Sequence, residues 1–445
     1  MRRRLTRAWF WVFAGLGAAA ALCGVGTYAV WSVLYGEAAE AASSLASEIQ
    51  AARAEGLPIE PKDLIPAAAL DPNRNAASEY EVVGRQLQTL LPDVEWRRDC
   101  FDVMRGRSDE VQRQRTRRLL SLAEPLLLRF AEASKRPLCA FRRDYSDPLQ
   151  LELSEPGRLA AAALLFCAKA ALGAQRGNVE AAEADLQAAL RIAAHLAQDV
   201  FALSTLHAAR IEANVHRTAR QIVRDEPGSA RKLAMALRTL DWEPPRYDLA
   251  RLFRNELPIG VAICRRIKRP SDVNKLVSPR ERRGGFWLPI TDDLRRAWEA
   301  RWIAYVRRTA PTIPNDPAEF AQAEEAVRRA MELERAKPGL SYSLNRLLVS
   351  TVFGTNVAIG RAHAEREITR AYLNLVGLLR TTGKLPDSLE PLGVRYRDPF
   401  DGKELRYRRT DSGFLLYSVD RDLTDDGGRQ RRNRGETFDN AAEFP

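Results

Sequence analysis

Asp420, Asp422, Asp425 and Asp426 place four carboxylates within seven residues, directly before Gly427 and Gly428. Oxygen-rich loops of this kind suit Ca²⁺, which takes about six to eight hard oxygens in irregular geometry. An EF-hand register does not fit. Counted from Asp422, the twelfth position is Asn433, where a bidentate Glu is needed. The alternative is a polar turn whose aspartates cap backbone groups. Other chemistry is sparse. His195, His207, His216 and His363 are the four histidines. None pairs with another at i, i+4, no H-E-x-x-H occurs, and each reads as a partly buried helix residue. Walker loops, nucleophile elbows and dinucleotide fingerprints are missing. No catalytic residue is singled out, so an enzyme here would have to draw carboxylates from different helices.

Of five cysteines, Cys23 falls in an apolar run, and none forms a C-x-x-C pair. Cys167 lies in an apolar helix and reads as a small core residue. Cys100 and Cys139 leave two readings open, a disulfide or buried free thiols.

The elements that must position these residues begin with an anchor. Arg2, Arg3, Arg4 and Arg7 precede an uncharged run from Ala8 to Gly36, with Glu37 the first charge after it. As a helix this run would span about 43 Å, more than the hydrocarbon core requires. Trp9 and Trp11 stand at one end, Tyr28, Trp31 and Tyr35 at the other, as interfacial belts do. The run is too long for a cleaved signal. A basic cytoplasmic tail (1–7) therefore leads into a single transmembrane helix (8–36), with the bulk on the far side of the membrane. In a bacterium this means the inner membrane and the periplasm.

The rest reads as mainly α. A helical body covers 37–250, with one helix continuing to Gly56 and another opening at Asn75 with Tyr80, Val83 and Leu87 on one face. Leu119, Leu122, Leu126 and Phe130 mark a further stripe, with a kink or break expected at Pro125. Residues 157–176 and 179–197 form an antiparallel pair about Gly177 and Asn178. The pair is locally similar to a tetratricopeptide unit, but no second copy occurs at that period. Residues 251–370 form a second helical region, where Thr291 caps a helix striped by Leu294, Trp298, Trp302 and Tyr305. After Thr382 the period changes. Lys403–Arg409 and Gly413–Val419 read as a hairpin within a small module at 371–428, and 429–445 as a loose polar tail.

The net charge of +11 first suggests nucleic acid. It is local, however. Residues 251–310 hold 15 Lys or Arg against six acids. With the chain beyond a membrane, nucleic acid is not expected, and anionic lipid or polysaccharide becomes the candidate for that patch.

Ala371–Gly428 resembles the globular end of the major pseudopilin of type II secretion systems. The shared pattern is a helix (AYLNLVGLLRTTG), a Leu385-Pro386 step, and Asp398-Pro399-Phe400 with Gly402. The Tyr407 strand, Leu416–Ser418 and the acidic Gly-rich loop follow. The resemblance implies Ca²⁺ at Asp420, Asp422, Asp425 and Asp426. It covers about 60 residues, and the pseudopilin leader with its early Glu is missing from residues 1–36. The whole chain resembles a group of uncharacterised bacterial membrane-anchored helical proteins with this pilin-like end. The resulting expectation is an anchored periplasmic interaction or scaffold protein with protein partners in the envelope. An envelope-directed enzyme and a polyanion binder are the alternatives.

Overall fold

The computed structural model describes residues 32, 35–64, 71, 73–143, 153–229, 245–276, 288–314, 319–429 and 440–444. In chain order the first helices are α1 (Leu45–Ala54), α2 (Ala77–Leu90), α3 (Glu95–Met104) and α4 (Glu110–Ser134). Next come α5 (Glu155–Ala174), α6 (Val179–Gln198) and α7 (Ala202–Asp225). The series continues with α8 (Leu249–Arg266), α9 (Pro270–Lys275), α10 (Asp292–Thr309), α11 (Phe320–Ala336) and α12 (Ser343–Thr382). Three strands close it, β1 (Arg406–Arg409), β2 (Phe414–Ser418) and β3 (Asn440–Phe444). The protein is thus mainly helical, with one small antiparallel sheet. The proposed membrane span at 8–36 lies outside the described residues except for Ser32, Tyr35 and Gly36.

The chain divides into two units. The smaller comprises Met1–Glu60, Leu257–Arg308 and Ala330–Val349. In it α1 stops in a left-handed turn at Gly56 (φ 71°), where Gly56 N–H bonds Arg53 O and Leu57 N–H bonds Ala52 O. This pairing satisfies carbonyls a helix end otherwise leaves open. Thr291 Oγ1 accepts from the Leu294 N–H at 3.1 Å, capping α10 as its sequence predicts. The expected stripe Leu294, Trp298, Trp302 and Tyr305 is buried throughout. Both indoles are satisfied. Trp298 Nε1 donates to Leu340 O at 3.0 Å and Trp302 Nε1 to Leu257 O at 3.1 Å. Gly260 makes this possible, because a Cβ there would stand 2.1 Å from Trp302 Nε1.

The larger unit comprises Pro61–Glu256, Thr309–Arg329 and Ser350–Pro445. Its core helix is α5, which packs against α2, α3, α4, α6 and α7. Among the described residues α5 alone is long and apolar enough to cross a membrane, yet two-thirds of its most apolar window is buried in protein. Its many alanines let neighbours approach closely, and each fully buried Leu or Phe adds about 1.5–3 kcal/mol. Asn178 caps α6 by accepting the Ala181 N–H. Leu186, Leu190, Ala193 and Ala197 then face the core, as the spacing predicts.

Two expectations need correction. The buried stripe of α4 is Thr116, Leu120, Ala123, Leu127 and Phe130. Leu122 instead points outward at 65 % exposure. Pro125 does not break α4. It lies on the exposed side, where solvent can take the freed carbonyl one turn back. Residues 440–444, read as tail, form the third strand of a β1-β2-β3 sheet. Phe444 sits opposite Phe414, their rings stacked at 5.4 Å, and Tyr372 of α12 packs edge-on to both. The predicted hairpin is present, with Arg409 opposite Phe414.

Candidate functional site

The acidic loop follows β2. Asp420 is buried, in a left-handed conformation (φ 54°), and its carboxylate is taken by Arg361 of α12. Arg361 Nε lies 3.1 and 3.0 Å from Asp420 Oδ1 and Oδ2, and its terminal nitrogen 2.8 Å from Oδ2. Asp422 accepts the Thr424 N–H, and Asp425 accepts from Tyr417 Oη and the Gly427 N–H. Three of the four predicted calcium ligands therefore hold partners within the fold. Among the described residues no three His, Cys, Asp or Glu side chains are gathered to hold a metal. All four described cysteines, Cys100, Cys139, Cys167 and Cys264, are buried free thiols. The Cys100–Cys139 disulfide is thus not formed, and burial pushes the Cys100 and Cys167 thiols up to about 12.

Histidines are structural parts of the larger unit. His195 Nε2 faces Arg136 O at 2.7 Å, and a carbonyl can only accept. His195 Nδ1 is then the acceptor for the Tyr80 hydroxyl at 2.9 Å. The Tyr80 bond requires the neutral ring. Burial holds His195 down, to about 4.

A denser polar cluster lies between α7 and α12. Helical spacing puts Glu212, His216 and Arg220 on one face of α7. On α12 it brings His363, Glu365, Arg366 and Thr369 to the contact. Glu212 is 0 % exposed. Its Oε1 accepts from Arg366 Nε at 2.7 Å, and its Oε2 from the Tyr247 hydroxyl at 2.8 Å. His216 Nε2 lies 3.7 Å away, beyond hydrogen-bond reach, with neither ring nitrogen bonded. Glu365 accepts from Arg217 Nε at 2.6 Å and pairs with Arg220, which also reaches Thr369. Burial would raise both carboxyls, but the facing guanidinium of Arg366 holds Glu212 at about 2. Arg217 and Arg220 do the same for Glu365. Burial and the charge of Arg366 depress His363 to about 3. A carboxylate held that low is a poor base at neutral pH. What the cluster does is hold Arg366 in a fixed position.

Arg366 borders a cavity of about 270 Å³, with Phe320, His363, Arg395, Arg397 and Asp398 also in its wall. Phe320 stacks edge-on to His363 (5.4 Å) and Phe400 (6.2 Å). Gly360 lets the two phenyl rings close on α12, since a Cβ there would meet them at 2.7 and 2.8 Å. Asp398 is buried and fully used. It accepts from Ser418 Oγ and the Val419 N–H at 2.9 Å, from the Phe400 N–H at 3.0 Å and from Arg406 at 3.2 Å. No family model matches the chain, and no curated protein or solved structure matches it.

In the smaller unit the basic patch is partly neutralised. Arg265 pairs with Glu60 and Glu299 at 2.8 and 2.7 Å, and Arg307 with Glu48 and Glu55. Arg301 lies over the Tyr342 ring at 4.7 Å. Sequence alone could show the Glu212–His216 spacing on α7. It could not show Arg366, which stands 154 residues further along the chain.

Proposed function

We propose that the chain is a single-span inner-membrane protein that works by binding other envelope components. Its body is periplasmic, and residues 371–428 are a pseudopilin-like module suited to association with secretion machinery. The observation that carries the interaction reading is on α4. Leu122 and Val111, eleven residues apart and so on one face of the helix, are 65 % and 56 % exposed, although α4 already buries a full apolar stripe on its other side. Leu128, 60 % exposed, lies about 120° round the helix from Leu122. Apolar residues grouped on a surface helix mark contact sites more often than scattered ones do. The anchor rests on the uncharged run 8–36 behind four arginines.

A photo-crosslinking residue at position 122 of the full chain, in intact membranes, tests the reading. The expected result is a discrete adduct with an envelope protein, lost in Val111→Glu. A crosslinking pattern no different from a probe at Arg98 would refute it. Extraction of the chain by alkaline carbonate would refute the anchor separately.

A further inference from the structure

We propose that the cavity beside Arg366 is a binding site for a phosphate-bearing ligand, held by Arg395 and Arg397. This goes beyond the interaction reading and does not depend on it. Residues 395–398 alternate exposed, buried, exposed, buried, with Tyr396 and Asp398 inward. In an extended segment residues two apart share a side, so Arg395 and Arg397 project together. Both line the cavity. Among the described residues neither guanidinium has an acidic partner, while every other charge in the wall does. Arg366 is bound to Glu212, Glu367 to Arg370 at 2.7 Å, and Asp398 to Arg406. Two adjacent cations are thus left uncompensated at the mouth of a concave site.

The chemistry of the pair favours phosphate. A guanidinium offers a planar fork of donors that matches an oxyanion bidentately, and two forks can hold three oxygens. The cavity lies just below the ~300–1,000 Å³ typical of small-molecule sites, so the ligand is small. Phe320 supplies an apolar wall for its carbon skeleton, and the His363 ring a polar group on the same wall. Arg366 is fixed from behind by Glu212, itself held by the Tyr247 hydroxyl, and adds positive potential without having to move.

The test is calorimetric titration of the full chain in nonionic detergent with inorganic phosphate, glycerol 3-phosphate, and mixed micelles of that detergent containing phosphatidic acid. The expected result is saturable binding of at least one probe, weakened tenfold or more in R395M/R397M. Binding of the free phosphates points to a soluble ligand. Binding confined to the phosphatidic acid micelles points to a lipid headgroup. Arg408→Met removes a charge from the same module outside the cavity wall and should bind as the unaltered chain does. Matching melting temperatures for the variants keep misfolding separate from lost affinity. No saturable binding at up to about 10 mM probe, or an equal loss in Arg408→Met, would overturn the proposal.

Discussion

Replacing Glu212 by Gln tests the buried cluster most directly. The substitution keeps the volume and removes the charge that faces Arg366 and one of the two oxygens that accept from Arg366 and Tyr247. Removing one partner of a buried ion pair costs about 3–5 kcal/mol, because the other charge stays behind. The Arg366 side chain keeps 19 % exposure, which places the expectation near the lower end. A second route agrees. The carboxyl titrates at about 2 in the fold and at about 4.3 when unfolded, and about 1.4 kcal/mol per unit gives roughly 3 kcal/mol. The folded value is depressed, so this contribution is present above about pH 4.3 and is lost as pH falls toward 2. At about 2.1 cal/mol/K per residue, a unit of about 310 residues shifts by about 1.5 °C per kcal/mol, so Tm should drop by about 5 °C at pH 7. Melting of the full chain in detergent, followed by far-UV circular dichroism, reads this. Glu132→Gln, at an exposed pair with Lys135, should shift Tm by less than about 2 °C. A double-mutant cycle with Arg366→Met should show the double variant less damaged than the sum of the singles. Equal Tm values for Glu212→Gln and Glu132→Gln, or strict additivity, would refute the reasoning.

Further outcomes follow from other sites. His195 and His363 are both held below their ordinary range, to about 4 and about 3. Their contribution is therefore complete above about pH 6.5 and falls as pH drops from there, so Tm should decline between pH 6.5 and 4.5. A flat profile over that range would count against neutral buried rings. Gly260→Ala should cost about 1–3 kcal/mol by overpacking against Trp302, with a change in tryptophan fluorescence, and unchanged melting and emission would contradict the close approach. Calcium binding at Asp420, Asp422, Asp425 and Asp426 would require Asp420 to leave Arg361. Millimolar Ca²⁺ should thus leave Tm unchanged, and a rise of several degrees would mean that the loop rebuilds around the ion.

Local devices were legible in the sequence. The cap at Thr291, the turn at Gly177 and Asn178, the Trp298–Trp302 stripe and the β1–β2 hairpin each depend on residues within a few positions of one another. The stripe of α4 was misread for a physical reason. Its leucines occur at 119, 120, 122, 126, 127 and 128, and spacings of three and four fit more than one face. Only the packing against α2, α3 and α5 chooses Leu120 and Leu127. The strand at 440–444 was hidden because its partner β2 precedes it by more than twenty residues. The acidic loop drew attention through composition, yet its aspartates are engaged by Arg361, Tyr417 and nearby amides. The arginine-walled cavity gave no motif at all. It exists only because α11, α12 and the segment about Asp398 converge.

The strand order β1-β2-β3 also dictates an order of assembly. Four residues separate β1 from β2, and 21 separate β2 from β3. By loop-closure entropy the second pairing costs about 1.5 kcal/mol more to initiate than the first. The hairpin should therefore form before β3 arrives, and until then β2 presents a bare edge. All five residues of β2 are buried in the finished sheet, so that interim edge is apolar and sticky. β3 thus acts as a late-arriving guard against intermolecular strand addition, and Phe444 against Phe414 is the contact that keeps it in place.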